Sequence, residues 1–215
     1  MRRSLFLYLV ALLIFTVTLG AFQGSGTARL TTEALMGLEF RSLGPSLTTG
    51  RVADFEVDPS NSNVYYVASA AGGLWKSENR GATFEPIFDD GGSFNLCCVL
   101  IDPRNANILY LGTGERSNPR SSMIGDGIYK STDAGRTWTH IGLRDSGHTG
   151  RMAMDPRDSN VIYVAALGPL WSSGGDRGIY KTTDAGANWT KVLDISPDTG
   201  GNEIHIDPNN PNVLY

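Results

Sequence analysis

One phrase recurs through this chain and constrains its fold more than any other feature. DPSNSNVYYVAS begins at Asp58, DPRNANILYLGT at Asp102, DPRDSNVIYVAA at Asp155 and DPNNPNVLY at Asp207. The starts lie roughly 50 residues apart, the period of a stacked or radial repeat in which each unit is one supersecondary structure. After three of the copies comes a glycine with an aromatic strand: GGLWKS from Gly72, DGIYKS from Asp126 and RGIYKT from Arg177. A polar turn follows in each, KSENRGATF from Lys76, KSTDAGRTW from Lys130 and KTTDAGANW from Lys181, closed by Phe84, Trp138 or Trp189.

Local chemistry makes each unit four short strands. RVADFEV from Arg51, CCVLI from Cys97, RMAM from Arg151 and EIHI from Glu203 precede the Asp-Pro steps, and proline, which lacks an N–H, ends a strand there. The Asn-rich turn bonds its own backbone, and the β-branched and aromatic run after it suits a second strand. The third and fourth strands flank the polar turn. In that hairpin Asp133 and Asp184 are suited to accept backbone N–H groups, with Asn79 in the first copy, and Ser77, Ser131 and Thr182 to tie the strand entry. Gly81, Gly135 and Gly186 supply the positive φ of a tight turn. Trp138 and Trp189, with Phe84 in the first copy, are expected to pack between neighbouring sheets, an indole burying about 150 to 250 Å² if fully enclosed. A catalytic aspartate is needed once and a turn in every unit, so recurrence reads these residues as structural.

A four-stranded unit with S/T-x-D-x-G-x-T-W on its third hairpin resembles the Asp-box, or BNR, repeat of β-propellers. LGPSLTTGRVADFEVDP, GGLWKS, GTGE, GDGIYKSTDAGRTW and ALGPLWSSGG are similar to exported bacterial proteins with a sortilin-type N-terminal propeller. The resemblance covers residues 51–215 and implies an all-β fold, a β-propeller of four-stranded antiparallel blades. The expected blades are 51–92, 93–147 and 148–200, with 201–215 the first half of a fourth. Propellers close with four to eight blades, so the chain reads as the N-terminal fragment of a longer protein, with sheet edges that would be open in isolation.

Ahead of the repeat, Arg2 and Arg3 precede an uncharged apolar run from Leu5 to Leu19 and then Gly20 and Ala21. That pattern reads as a signal peptide over 1–21, with 22–50 a lead-in and a periplasmic, cell-surface or secreted destination. Left uncleaved, the same segment would be a membrane anchor. With 18 basic against 22 acidic residues, two of the basic ones in that segment, a nucleic-acid partner is not expected, because phosphate binding relies on clustered Lys and Arg. Cys97 and Cys98 are adjacent and, on a regular strand, point to opposite faces; they read as two packed thiols, with a vicinal disulfide or a redox role as alternatives. His140, His148 and His205 have no metal-ligand spacing and read as surface or turn positions. Asp89-Asp90-Gly91-Gly92 reads as a solvated turn or a calcium loop. Asn188-Trp189-Thr190 fits a glycosylation acceptor but lies inside a turn. No cofactor and no metal are expected.

Asp-box propellers include glycoside hydrolases. The resemblance to sialidases would put an arginine in an early F/Y-R-I-P phrase, where this chain has Phe40-Arg41-Ser42-Leu43. The xyloglucanase type carries a catalytic aspartate in D-x-G-G-x-Y/W-R/K, where Ala70 stands here. Glycoside hydrolysis takes two flanking carboxylates. The expectation is therefore a non-catalytic exported propeller that binds protein, peptide or polysaccharide at the channel mouth. The alternative is a hydrolase whose catalytic residues lie in part beyond this sequence. Arg51 and Arg151, each in a Thr-Gly-Arg step opening a first strand, and Glu115, just past a second, are placed to converge at one mouth, either on a ligand or as an interblade ion-pair set. Trp171, in the insertion GPLWSSGG, is placed either to stack on a ligand or to cover the blade top.

Overall fold

The structure is a computed structural model and describes residues 31, 35–37, 50–117 and 122–215. The chain divides into two units, Met1–Ser42 and Leu43–Tyr215, and among the described residues every strand belongs to the second. The signal-peptide segment, most of the lead-in, Thr49 and the Phe40 to Pro45 phrase lie outside the described residues.

Among the described residues, twelve strands form three four-stranded antiparallel sheets. The first holds β1 (Arg51–Val57), β2 (Tyr65–Ala70), β3 (Gly73–Ser77) and β4 (Glu85–Pro86). The second holds β5 (Leu96–Ile101), β6 (Leu109–Thr113), β7 (Ile128–Ser131) and β8 (Thr139–Gly142). The third holds β9 (Thr149–Asp155), β10 (Asp158–Ala166), β11 (Gly178–Thr182) and β12 (Thr190–Leu193). Each sheet is ordered as its strands occur in sequence, the meander of a propeller blade. The fold is all-β, and its sheets are propeller blades. Glu203 to Ile206 does not form the expected strand. Its backbone pairs through mutual bonds between His205 and Tyr215, at 3.0 and 2.9 Å, and a bridge from Ile206 to Leu214, while Ile204 packs with Ala165 and Ile179.

The end of each sheet that carries the Asp-Pro phrase is built alike. Asp58, Asp102, Asp155 and Asp207 each accept, through Oδ1, the N–H of the residue two positions on, at 2.7, 2.9, 2.8 and 2.8 Å. The polar turn then ties back to the same place: Arg80, Ala134 and Ala185 donate N–H groups to the carbonyls of Asn63, Asn107 and Asn160 at 2.9, 2.9 and 3.0 Å. Those three donors have φ of 60°, 60° and 57°, and the glycines that follow them 82°, 88° and 94°. Two successive left-handed residues turn the chain, and the glycine carries the second at no steric cost. Across the middle strands Tyr66, Tyr110 and Tyr163 lie opposite Lys76, Lys130 and Lys181, and each ammonium sits over its partner ring, 5.7, 5.3 and 5.3 Å from the centroid.

Between sheets the side chains interdigitate. Tyr66, Leu74, Phe88, Leu96, Leu109 and Leu111 form the core shared by the first and second sheets, with Trp138 packed against it. Tyr110, Ile128, Met152, Ile162, Val164 and both cysteines form the core of the second and third, with Trp189 packed against it. Trp138 Nε1 donates to the Ile87 carbonyl at 2.9 Å and Trp189 Nε1 to that of Ile141 at 2.8 Å, so each indole fastens its sheet to the one before. Phe84, at the equivalent place in the first sheet, is 41% exposed.

Candidate functional site at the channel mouth

First-strand starts, second-strand ends and third-strand starts gather at the end of the sheets opposite the Asp-Pro phrase, and there the repetition stops. Residues 71–72 join β2 to β3, whereas 114–127 join β6 to β7 and 167–177 join β10 to β11. Exposed apolar side chains collect on these connections and on the segments between sheets: Phe94, Ile124, Trp171 and Ile195.

The 167–177 connection is built around one arginine. Arg177 is 8% exposed, and its guanidinium donates Nη1 to the Leu167 carbonyl at 2.9 Å, Nε to that of Gly174 at 2.8 Å, and Nη2 to those of Pro169 and Ser172. A rigid fork of donors satisfies four carbonyls that no strand partner can reach. Gly174 N donates to the Pro197 carbonyl at 2.8 Å and Asp176 N to that of Asp145 at 3.1 Å, which moors the loop to its neighbours. At its tip Trp171 stands 79% exposed. An exposed indole on a moored loop costs little loop entropy to contact.

The charged residues separate into two linked sets. The Arg51 guanidinium lies against Oε1 of Glu115, a carboxylate only 5% exposed, and this pair joins the first sheet to the second. Arg151 does not meet them. Although both arginines follow Thr-Gly, β1 begins at Arg51 and β9 at Thr149, so Arg151 sits two residues farther down its strand. It faces Glu203 instead, with Nη1 to Oε2 at 3.9 Å; Arg116 Nη1 reaches the other oxygen at 3.2 Å and His205 Nε2 lies at 3.5 Å. Arg116 also donates to the Ala53 carbonyl at 3.4 Å, which carries the network back to β1. On that strand Glu56 has its pKa pushed up to about 7 by burial and by Asp54, against the pull of Arg151. Asp54 is engaged as well, accepting Val99 N at 3.0 Å through Oδ2.

The polar turns lie at the opposite end. Asp133 accepts Thr137 N at 2.9 Å, Thr137 Oγ1 at 2.6 Å and Ser131 Oγ at 2.8 Å, and Gly135 N donates to Ser131 Oγ at 2.9 Å. Asp184 is bonded likewise by Asn188 N, Asn188 Nδ2 and Thr182 Oγ1 at 2.8, 2.8 and 2.7 Å, with Gly186 N on Thr182 Oγ1 at 3.0 Å. Bonds from residue 137 in one case and 188 in the other lead in holding each carboxyl down at about 2. In the first sheet Asn79 Oδ1 accepts Thr83 N at 2.9 Å and Ser77 Oγ at 3.0 Å, while its amide donates to Thr83 Oγ1 at 2.8 Å, and Gly81 N closes on Ser77 Oγ at 2.8 Å.

His205 is exposed, as expected, whereas His148 departs from the surface reading. His148 is 1% exposed; its Nδ1 lies 3.0 Å from the Glu115 carbonyl, and burial lowers its pKa. It seats the loop that carries Glu115. His140 Nε2 lies 2.6 Å from the Asp126 carbonyl. Among the described residues no cluster of three His, Cys, Asp or Glu is arranged to hold a metal. Asp89 and Asp90 are exposed and line a cleft of about 760 Å³ between the first two sheets with Phe88, Tyr129 and Trp138. No helix among the described residues is long and apolar enough to cross a membrane.

Arg177, Arg116, Glu203 and Glu56 are missing from the residues expected from sequence. Arg177 carried a signal, because it stands where the other two copies have Gly72 and Asp126. A break in a repeat at a conformationally ordinary position marks a local job.

No protein-family model matches the chain. It is similar to a xyloglucanase of Hypocrea jecorina, 30% identical over 149 residues, covering 62% of this chain and 17% of that protein. It is also similar to the dispase autolysis-inducing protein of Streptomyces mobaraensis, 30% identical over 132 residues, covering 58% of this chain and 34% of that one. Among solved structures, the GH74 enzyme of Niastella koreensis superposes with a TM-score of 0.56 at 28% identity, over 74% of this chain and 24% of that chain. The chain thus spans about one sixth of the xyloglucanase, about a third of the dispase autolysis-inducing protein and about a quarter of the GH74 enzyme.

Proposed function

We propose that this chain belongs to an exported, Asp-box propeller that binds a polysaccharide at the channel mouth, with β-glucans of the xyloglucan type the first ligands to test. The observation that carries this is Trp171, solvated at the tip of a loop that the buried Arg177 holds in shape. A sugar ring stacks its C–H face on such an indole. The xyloglucanase and GH74 likenesses support a glycan over a peptide as the ligand. In this reading Arg51, Glu115, Arg116, Arg151 and Glu203 set the angle between blades and the charge of the rim. The box residues Ser131, Asp133, Gly135, Thr182, Asp184 and Gly186, with Ser77, Asn79 and Gly81, shape the turns, and Trp138, Trp189 and Phe84 the blade contacts.

Ala70 favours binding without cleavage: it ends β2, 1% exposed, where the xyloglucanase phrase has its aspartate. A second reading rests on Glu56. A carboxyl whose pKa is pushed up to about 7 by burial and by Asp54, two positions along a strand, is the kind of group general acid catalysis uses. Calorimetry with soluble xyloglucan, alongside an assay for new reducing ends, separates the two. Heat of binding that Trp171→Ala removes, with no reducing ends released, supports the binding reading. Reducing ends that disappear in Glu56→Gln favour the hydrolase, and neither binding nor cleavage overturns both.

A further inference from the structure

Cys97 and Cys98 do not point to opposite faces. The pairing of β5 with β6 shifts between Leu96, opposite Thr113, and Cys98, opposite Gly112, so Cys97 is the extra residue of a bulge. A bulge leaves one residue without a partner and re-aims its side chain. Here it brings both sulfurs together, Sγ to Sγ at 3.0 Å. Gly112 makes the space: a Cβ there would stand 2.7 Å from each Sγ. The thiols are 0% and 2% exposed, in the core between the second and third sheets. The bond from Cys97, and then burial, hold the Cys98 thiol protonated well above the ordinary range, so as a thiol it is a poor nucleophile.

We propose that Cys97 and Cys98 form a vicinal disulfide site, closed by thiol–disulfide exchange while the chain folds in an oxidising compartment. The bulge and the missing side chain at Gly112 are what the bond requires, since a regular strand would separate the sulfurs and any other residue at 112 would fill their space. The step balances with an external disulfide, that of an oxidoreductase or of oxidised glutathione. One cysteine thiolate attacks a sulfur of that disulfide and releases a thiol; the second cysteine then displaces the other half. Two S–H bonds and one external S–S bond become one internal S–S bond and two external thiols. Exchange precedes packing of the second sheet on the third, because the finished core shields both sulfurs. Adjacent α-carbons sit about 3.8 Å apart across a trans peptide, closer than ordinary disulfides take, and strained bonds of this kind are the labile, switchable ones. The ring would stiffen the bulge beside Thr113, whose carbonyl accepts the Thr149 hydroxyl across the seam between the sheets.

The test uses the whole chain, unfolded in acid, reduced, and refolded in a mixture of oxidised and reduced glutathione, then unfolded again with N-ethylmaleimide. This arm does not depend on export; a second portion is produced in a bacterial periplasm and trapped the same way. The expected result is no maleimide added before reduction, two added after it, and a mass lower by about 2 Da in the unreduced chain. Two maleimides added without reduction in both portions overturns the proposal, as does a bond that appears only between chains. Internal closure in the refolded portion alone upholds the site and overturns its closure during folding in an oxidising compartment.

Discussion

The two ends of these sheets are built by opposite rules. At the Asp-Pro end the three polar turns repeat one hydrogen-bond scheme, with the same left-handed pair of residues and the same tie to an asparagine carbonyl. At the mouth no two connections match: one is two residues, one carries a buried glutamate, and one is strapped by a buried arginine beneath an exposed tryptophan. A repeat keeps what every unit needs in order to fold and varies what only the assembly uses. Similarity among copies therefore locates architecture, and divergence locates the place to look for function.

The sharpest break in the repeating half comes from its aromatic residue. Trp189→Ala removes an indole that packs on the second sheet's core and bonds the Ile141 carbonyl, and is expected to cost about 3 kcal/mol in denaturant unfolding. Phe84→Ala, at the same place in the repeat but 41% exposed, should cost about 1 kcal/mol or less. Equal costs would mean that sequence position, not burial against a neighbour, sets the value of the residue.

Arg177→Ala comes next. Four carbonyls lose a charged donor, and hydrogen bonds to charged groups contribute about 1.5 to 3 kcal/mol. The expected outcome is a loss in that range, faster amide exchange confined to 167–177, and weaker glycan binding with Trp171 still present. Unchanged exchange in the loop would remove the arginine from the account.

The polar-turn carboxylates have a smaller effect, visible in pH. Asp133 is lowered from its ordinary 3.8 to about 2 by the bonds from Thr137, and a depressed folded pKa contributes stability that is present above the unfolded value and lost as pH falls through the folded one. Wild type should lose melting temperature between about pH 4 and pH 2. Asp133→Ala should melt a few degrees lower at neutral pH and show a shallower acid decline. Parallel profiles for the two proteins would show that the carboxylate is not engaged in solution.

The repeating half was legible because each of its devices is local. Asp-Pro steps end strands, and a glycine two positions after an aspartate takes the left-handed turn. The mouth was half legible. Glu115 and Arg51 do pair, but Arg151 was read as the equivalent of Arg51 from a shared Thr-Gly-Arg, and the register puts it two residues deeper. Register depends on where hydrogen bonding to the next strand begins, which three matching letters do not encode. The cysteines pack as two buried thiols, as expected, but a bulge in β5 cancels the alternation that would set them on opposite faces. Arg116 and Glu203 meet only after two sheets have stacked, so no local pattern joins them. The expected strand from Glu203 was drawn from the repeat itself, and its residues pair only at His205 and Ile206.

The division of labour between the two ends is tested most directly by measuring xyloglucan affinity and melting temperature together for Trp171→Ala and Asp133→Ala. Trp171 is 79% exposed, so its loss should leave stability within about 0.5 kcal/mol of wild type while binding weakens tenfold or more, on the order of 1.4 kcal/mol. Asp133→Ala should melt lower and bind as wild type does. The reverse pattern, with binding lost at an unchanged melting temperature in Asp133→Ala and retained in Trp171→Ala, would place the function at the repeating end and contradict the account.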